Sequence, residues 1–315
     1  MKPLLFLIVA DSHFYPGALA AVASIIRFHP EGSIIVINNC VYQMGLSDRQ
    51  SRSLELLGAV VLDGRIIAGD SRKSGAWELK AYAADHFSDR SEILIGIDAD
   101  CLLCGPVHDV VTKCLGSGSF FGGQDGSGIH FDIGYGVYGF DVPAWSEKYM
   151  STSLYFCKTI RPNRDALREW ADCCSSSIFG NTGLHPGHGD QGVLNAILYK
   201  NRDKSHIELL DNQLWSQHWV YWDSPLTIRE GRLFNMRCQE FQRSIHAGGT
   251  EKLWTLAHRK KLDSFPHICT NYSWFLHCLQ YGWERASVDP ADVLDNSSIH
   301  LIKDAEKFRE KRFIG

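Results

Sequence analysis

Two carboxylates one residue apart, Asp98 and Asp100, follow the apolar run Ile93 to Ile97 in the stretch EILIGIDADCLLCGP. An isoleucine-rich run of that length, with the turn residues Gly105 and Pro106 beyond it, predicts a strand buried on both faces. Ionised carboxylates inside such a strand are costly unless something pairs them. The strand is therefore expected to stop at Asp98, at the rim of a sheet. There Asp98 and Asp100 offer hard oxygen donors to one divalent cation, and an Asp-x-Asp in that place can hold the metal of a nucleoside diphosphate.

The surrounding chain supplies elements that could build the rim. Residues 3–10 predict a first buried strand, because the apolar stretch is short for a secretion signal and runs at once into Asp11. Ala18, Leu19, Ala21, Val22, Ile25 and Ile26 share one helical face, which His29-Pro30 ends. Ser33 to Ile37 predicts a second strand, and Ser47-Asp-Arg-Gln50 has the form of a capping box opening a helix that runs to Gly58. A third strand over 59–62 and a helix over 74–87 precede the Asp98 strand. Strands alternating with helices predict an α/β fold with a mainly parallel sheet and helices on both faces. Ligands bind beyond the carboxyl ends of the strands in such sheets, and two acidic strand ends, Ala10-Asp11 and Asp98-x-Asp100, meet that rule.

Further along, residues 116–139 are rich in glycine and aromatic residues and predict loops and short strands, either framing a pocket or forming an irregular hairpin. Leu154 to Cys157 predicts a strand, and Asn163 to Ser176 a helix opened by Asn163. Gln191 to Tyr199 predicts a helix, with Asp190 as its cap or as a carboxylate aimed into the cleft. Trp215, Trp219, Tyr221 and Trp222 cluster in a polar setting, where rings stack on sugar faces or, more commonly, pack in a core.

Bulk properties narrow the function classes. The 315 residues suffice for one elaborated domain or two small ones. A net charge of -4 provides no global basic field for nucleic acid. No apolar run approaches the roughly 20 residues of a spanning helix. The ten cysteines stand at irregular spacing in apolar segments, as reduced core thiols do, which points to a cytoplasmic protein. Cys101-x-x-Cys104 is read as packing rather than zinc or redox chemistry, since no second Cys or His pair accompanies it and no helix start follows. After strand one the chain reads Asp11-Ser-His-Phe-Tyr-Pro-Gly17, without Gly-x-Gly-x-x-Gly, and no P-loop occurs anywhere.

Taken in order, Ala10-Asp11, Lys80, Asp98-Ala99-Asp100, Asp190-Gln191 before Gly-Val-Leu-Asn195, and His246-Ala-Gly-Gly249-Thr-Glu-Lys252-Leu-Trp254 resemble the motifs of the metal-dependent retaining glycosyltransferases of family 8, the glycogenin-like and bacterial lipopolysaccharide galactosyl- and glucosyltransferases. The resemblance spans roughly residues 3–256. It implies a GT-A domain over 1–256 and a helical C-terminal region over 257–315. It implies transfer of a hexose from a nucleotide sugar, a UDP-sugar foremost, to a carbohydrate or lipid-linked saccharide, with retention of anomeric configuration. His246 would join Asp98 and Asp100 as metal ligand, a mixed donor set that favours Mn²⁺, with Mg²⁺ the alternative. The nucleotide sugar would meet Ala10, Asp11, Lys80, Asp98, Ala99, Asp100, Gly249 and Lys252. Asp11 would accept from the base, Lys80 would lie near the nucleotide or its phosphates, Lys252 would bring positive charge to the diphosphate, and the backbone at Gly249 could approach it closely. Asp190 and Gln191 would be the catalytic residues, holding the donor sugar and stabilising developing positive charge. A carboxamide is a feeble nucleophile, so same-face attack by the acceptor is preferred to a covalent intermediate on Gln191.

The chain departs from the family at Leu253, where proline is usual, and at Ser151-Thr-Ser153, where an Asn-x-Gly-type strand start is usual. Those departures leave acceptor identity open. Nucleic acid is not an expected partner. The basic, aromatic C-terminal tail could touch the inner face of a membrane, against the plainer expectation of a packed terminal helix. Two rival readings share the strand-end carboxylates: a sugar-nucleotide-forming nucleotidyltransferase, whose Gly-rich strand-one loop is missing here, and an inactive carbohydrate- or nucleotide-sugar-binding protein.

Overall fold

In β1 (Lys2–Ala10) successive residues enter different cores, Leu4, Phe6 and Ile8 on one side and Leu5 and Leu7 on the other. A strand covered on both faces needs apolar residues at every position, and this is why the sequence shows a continuous run rather than alternation. The computed structural model describes residues 2–40, 44–69, 76–124, 133–142, 148–176, 189–211, 213–215, 217–218, 226–247, 252–255 and 266–310.

After β1 come α1 (Tyr15–Phe28), β2 (Ser33–Asn38), α2 (Asp48–Leu56), β3 (Val60–Asp63), α3 (Gly64–Ala68), α4 (Ala76–His86) and β4 (Ser91–Ile97). The capping box at Ser47 is formed in both directions, by the Ser47 side chain and by Gln50. The chain continues through β5 (Cys101–Leu103), α5 (His108–Ser117), β6 (Phe120–Gln124), β7 (Met150–Lys158), α6 (Arg161–Ser175), α7 (Gly189–Lys200) and β8 (Ile207–Leu210). Short strands follow: β9 (Gln217–His218), β10 (Leu226–Arg229), β11 (Arg232–Asn235), β12 (Glu240–Phe241) and β13 (Ser244–His246). The helices α8 (Pro266–Ala286), α9 (Pro290–Val293) and α10 (His300–Glu310) end the described chain.

The main sheet has seven strands in the order β3-β2-β1-β4-β7-β6-β8. It is mainly parallel; β7 alone runs against its neighbours β4 and β6. Two three-stranded sheets lie beside it, β10-β11-β12 and β5-β13-β9. The C-terminal helix α8 shares a core with α1: Gly282 faces Leu19 and Ala23, and Trp274 Nε1 donates to the Leu103 carbonyl at 3.1 Å. No helix among the described residues is long and apolar enough to cross a membrane.

Several local expectations are corrected. The α6 helix begins at Arg161, with Pro162 in its first turn, where proline is favoured. Asn163 is therefore not the cap. It is buried, donating to the carbonyls of Gly118 and Lys158 at 2.8 and 2.9 Å and accepting from Ser205, so it ties the end of α5, β7 and the turn after α7 together. The α7 helix begins at Gly189, which places Asp190 in its first turn rather than at the cap. The strand expected from Leu154 extends back to Met150 and takes in Ser151-Thr-Ser153. Trp215 packs edge-on against Phe156 inside the core and offers no face to a sugar. Trp219, Tyr221 and Trp222 lie outside the described residues, as do 125–132 of the glycine-rich segment, the expected domain boundary near 257 and the tail from 311. The thiols of Cys101 and Cys104 are buried and free, and burial pushes both well up, as packing residues require.

Candidate active site

The β4 strand stops where the carboxylates begin. The Asp98 N–H still reaches β7, donating to the Ser153 carbonyl at 2.8 Å, and the Asp98 carbonyl then accepts from Cys101 N–H at 2.9 Å to close a turn. That turn throws Asp100 over the rim and starts β5. The antiparallel β5–β13 pair sets His246 opposite Cys101, and the Ala247 N–H extends it by donating to the Asp100 carbonyl at 2.9 Å. A three-residue ladder thus carries His246 to the acidic rim, with its Nε2 3.3 Å from Asp100 Oδ1. Lys252 Nζ donates to Asp100 Oδ2 and, at 3.3 Å, to the Ala247 carbonyl.

Asp98 has a different partner. Lys80 comes from α4, with its Nζ 2.7 Å from Asp98 Oδ1 and 3.4 Å from Asp190 Oδ2. One ammonium therefore joins the Asp-x-Asp turn to the first turn of α7. Lys80 is bound here to carboxylates, a more specific placement than nearness to the nucleotide phosphates.

Ligand atoms of Asp98, Asp100 and His246 all lie within 4.8 Å of one another. Two donors about 2.2 Å from a common ion stand at most about 4.4 Å apart, so shifts of a few tenths of an ångström would gather all three on one cation. The two carboxylates are balanced in opposite ways. Burial pushes the Asp98 carboxyl up, Lys80 and His246 pull it back and Asp100 adds repulsion, leaving it above the usual carboxylate range. Burial also pushes Asp100 up, but His246 and Lys252 outweigh that and hold it well below that range. Burial works against the Lys80 ammonium, yet Asp98 and Asp190 outweigh it, so the amine is held protonated far above its ordinary value. The donor set and the spacing fit a divalent ion.

The other expected site residues are placed as follows. Ala10 ends β1 and its carbonyl accepts from Asn39 N–H at 2.8 Å. Asp11 is buried, and its Oδ1 accepts from the N–H groups of His13 and Phe14, both at 3.0 Å, which shapes the entry to α1. Ala99 lies under Gly17, where there is no room for a side chain. Lys252 stands 5.4 Å from the Phe14 ring centre, and Phe14 meets Trp254 edge to face. Gly249 lies outside the described residues.

Asp190 and Gln191 are held by contacts that the sequence did not announce. The Asp190 carbonyl accepts from Trp170 Nε1 at 2.9 Å. Gln191 Oε1 accepts from the Thr152 N–H at 3.0 Å; because an N–H must meet an acceptor, this fixes which end of the carboxamide faces β7. The Gln191 oxygen is thus engaged by the backbone of β7. Asn195 clamps the same junction. It accepts from Met150 N–H and donates to the carbonyls of Met150 and Gln191, each at 2.8 Å. The signal was a polar residue amid Val193, Leu194 and Ile197, one helical turn after Gln191. Asn195→Ala is expected to leave the buried Met150 N–H unpaired and to lower the unfolding free energy by about 2–3 kcal/mol, read from urea denaturation.

No family model and no curated protein matches the chain. Its structure is similar to the WbbM bifunctional glycosyltransferase, with a TM-score of 0.57 and 13% identity over 90% of this chain and 52% of that one. It is similar to the galactosyltransferase LgtC, solved with donor and acceptor sugar analogues, with a TM-score of 0.55 and 13% identity over 91% of this chain and 98% of that one. It is also similar to the glycosyltransferase GlyE of Streptococcus pneumoniae TIGR4, with a TM-score of 0.50 and 12% identity over 98% of this chain and 64% of that one. The chain spans about half the length of the WbbM structure and 64% of GlyE. At such identities the likeness is one of fold: this is a GT-A fold of the family 8 glycosyltransferase type.

Proposed function

We propose that this chain is a metal-dependent retaining glycosyltransferase that moves a hexose from a nucleotide sugar, a UDP-sugar by preference, to a carbohydrate or lipid-linked saccharide. The reading rests above all on the convergence of Asp98, Asp100 and His246 at the carboxyl end of a central strand in a GT-A sheet. Asp98, Asp100 and His246 would hold Mn²⁺, or alternatively Mg²⁺, which would supply Lewis-acid neutralisation of the departing diphosphate.

The remaining work falls to side chains and backbone. Lys252 adds a positive charge beside the diphosphate, exchanging its contact with Asp100 for one with a phosphate oxygen. Ala10 and Asp11 bound the cleft at the end of β1, where the base would sit. Asp190, steered by Lys80 and the buried start of α7, would accept from the donor sugar hydroxyls and stabilise positive charge growing at the anomeric carbon. With its oxygen engaged by Thr152, Gln191 positions this wall. Attack by the acceptor hydroxyl on the face the diphosphate leaves, with a phosphate oxygen taking the proton, is the step these residues support.

The test is product analysis with a panel of nucleotide sugars, with Mn²⁺ and with chelator. Release of nucleoside diphosphate only with the metal, and a product of the donor's anomeric configuration, is expected. Pyrophosphate release in a parallel assay with a nucleoside triphosphate and a sugar 1-phosphate would point instead to a nucleotidyltransferase. Binding of nucleotide sugars with no turnover of any would mark a binding protein. An Asp190→Asn chain with near-normal turnover would remove Asp190 from the role given it.

A further inference from the structure

The small β10-β11-β12 sheet carries a row of stacked side chains that the proposed reaction does not use. Arg229 and Arg232 pair directly across the β10–β11 hairpin. The Arg229 guanidinium carbon stands 3.9 Å from the Phe234 ring centre, and that of Arg232 4.4 Å from the Phe241 centre. The two rings meet edge to face at 5.3 Å. Like charges directly opposite each other weaken a sheet, and stacking on aromatic faces compensates only partly.

Arg232 is the confined member. A Cβ built on Gly105 would lie 2.5 Å from its Nη2, so the guanidinium also sits close against that backbone. Its Nε is buried without a hydrogen-bond acceptor. Among the described residues no carboxylate stands within ion-pair distance of it. Arg243, just before β13, brings a second positive charge; its Nη1 donates to the Pro106 carbonyl at 3.0 Å and its Nη2 is 3.4 Å from Asp109. Burial first, then Arg243 and also Arg27, make the Arg232 cation less favourable, with Glu230 in the hairpin turn working the other way.

An unpaired, half-buried guanidinium among other arginines is a burden to the fold alone, because a desolvated charge needs a partner. A planar fork of N–H donors with added positive charge beside it suits an oxyanion of more than one charge. We propose that Arg232 and Arg243, with the exposed Arg27 and Arg229 nearby, form a binding site for a phosphate group. It lies at the opposite end of the β5–β13 pair from His246 and is separate from the diphosphate cleft. The phosphate could belong to a soluble phosphate ester or to an anionic phospholipid headgroup.

The test uses the full chain carrying Lys252→Ala, with chelator present, so that the cleft does not report. Inorganic phosphate binding is followed by ³¹P NMR line broadening, and vesicle binding by co-sedimentation with phosphatidylglycerol or with phosphatidylcholine alone. Adding Arg232→Ala is expected to weaken phosphate binding at least about tenfold, the loss of one charge-assisted forked contact. Arg232→Lys should recover part of it, and Arg202→Ala, an exposed arginine stacked on Tyr199, should change nothing. Should Arg232→Ala fail to fold, Arg243→Ala gives the same comparison. Arginine-dependent binding of phosphate without vesicles assigns a soluble ester; arginine-dependent binding of phosphatidylglycerol vesicles assigns a headgroup. Binding that is equal in parent and arginine variants, or no binding of either probe, overturns the site.

Discussion

Asp100→Ala is expected to lower kcat/KM with a nucleotide sugar by on the order of 10³, about 4 kcal/mol of transition-state stabilisation. The size follows from how much converges on one carboxylate. Asp100 is a metal donor in the proposed site, it holds His246 Nε2 at 3.3 Å, and it receives Lys252. Removing it subtracts a ligand and takes from the Lys252 ammonium its carboxylate partner, so raising Mn²⁺ should not restore the rate. Asp98→Ala should be gentler on the fold, because Lys80 keeps Asp190 as a partner. Steady-state kinetics over a wide Mn²⁺ range, with denaturation midpoints measured alongside, separates lost chemistry from lost stability.

Gly17→Ala is expected to lower the unfolding free energy by about 3 kcal/mol. A Cβ there would lie 2.4 Å from the Ala99 carbonyl oxygen and 2.4 Å from Trp254 Cζ3. Trp254 is fully buried and Ala99 is backbone between the two acidic residues, so neither can move cheaply. The strain falls on the turn that spaces Asp98 from Asp100, and Mn²⁺ affinity should drop together with stability. Gly116→Ala is the control. It lies in α5, a Cβ there meets nothing within 4 Å, and the change should be neutral or stabilising by roughly 0.5 kcal/mol. Urea denaturation with and without Mn²⁺ and UDP reads both variants.

The legible part of the fold was its local part. Continuous apolar runs marked β1 and β4, and Ser47 with Gln50 marked the start of α2, because those signals lie within one element. Asn163 misled because a preferred capping residue stood two positions after a better helix start, and its amide was needed inside. The acidic pair, Lys80, Asp190, His246 and Lys252 could be named from their motifs. What joins them could not be read: β5 and β13 are three residues each, and their pairing is a long-range fact. The same holds for the Lys80 bridge between Asp98 and Asp190, and for Thr152 turning the Gln191 oxygen toward β7. Gly17 carries no motif; its importance comes from the Ala99 carbonyl arriving from far along the chain.

The central claim is that Asp98, Asp100 and His246 hold one divalent ion for a nucleoside diphosphate. Titration of Mn²⁺ followed by EPR, with and without UDP, tests it most directly. The wild-type chain should take up one Mn²⁺, more tightly with UDP. His246→Ala and Asp100→Asn should each weaken uptake at least about tenfold, and Asp109→Asn, away from the cleft, should leave it unchanged. Undiminished uptake by a chain lacking both Asp100 and His246, or no uptake by the wild type with UDP present, would contradict it.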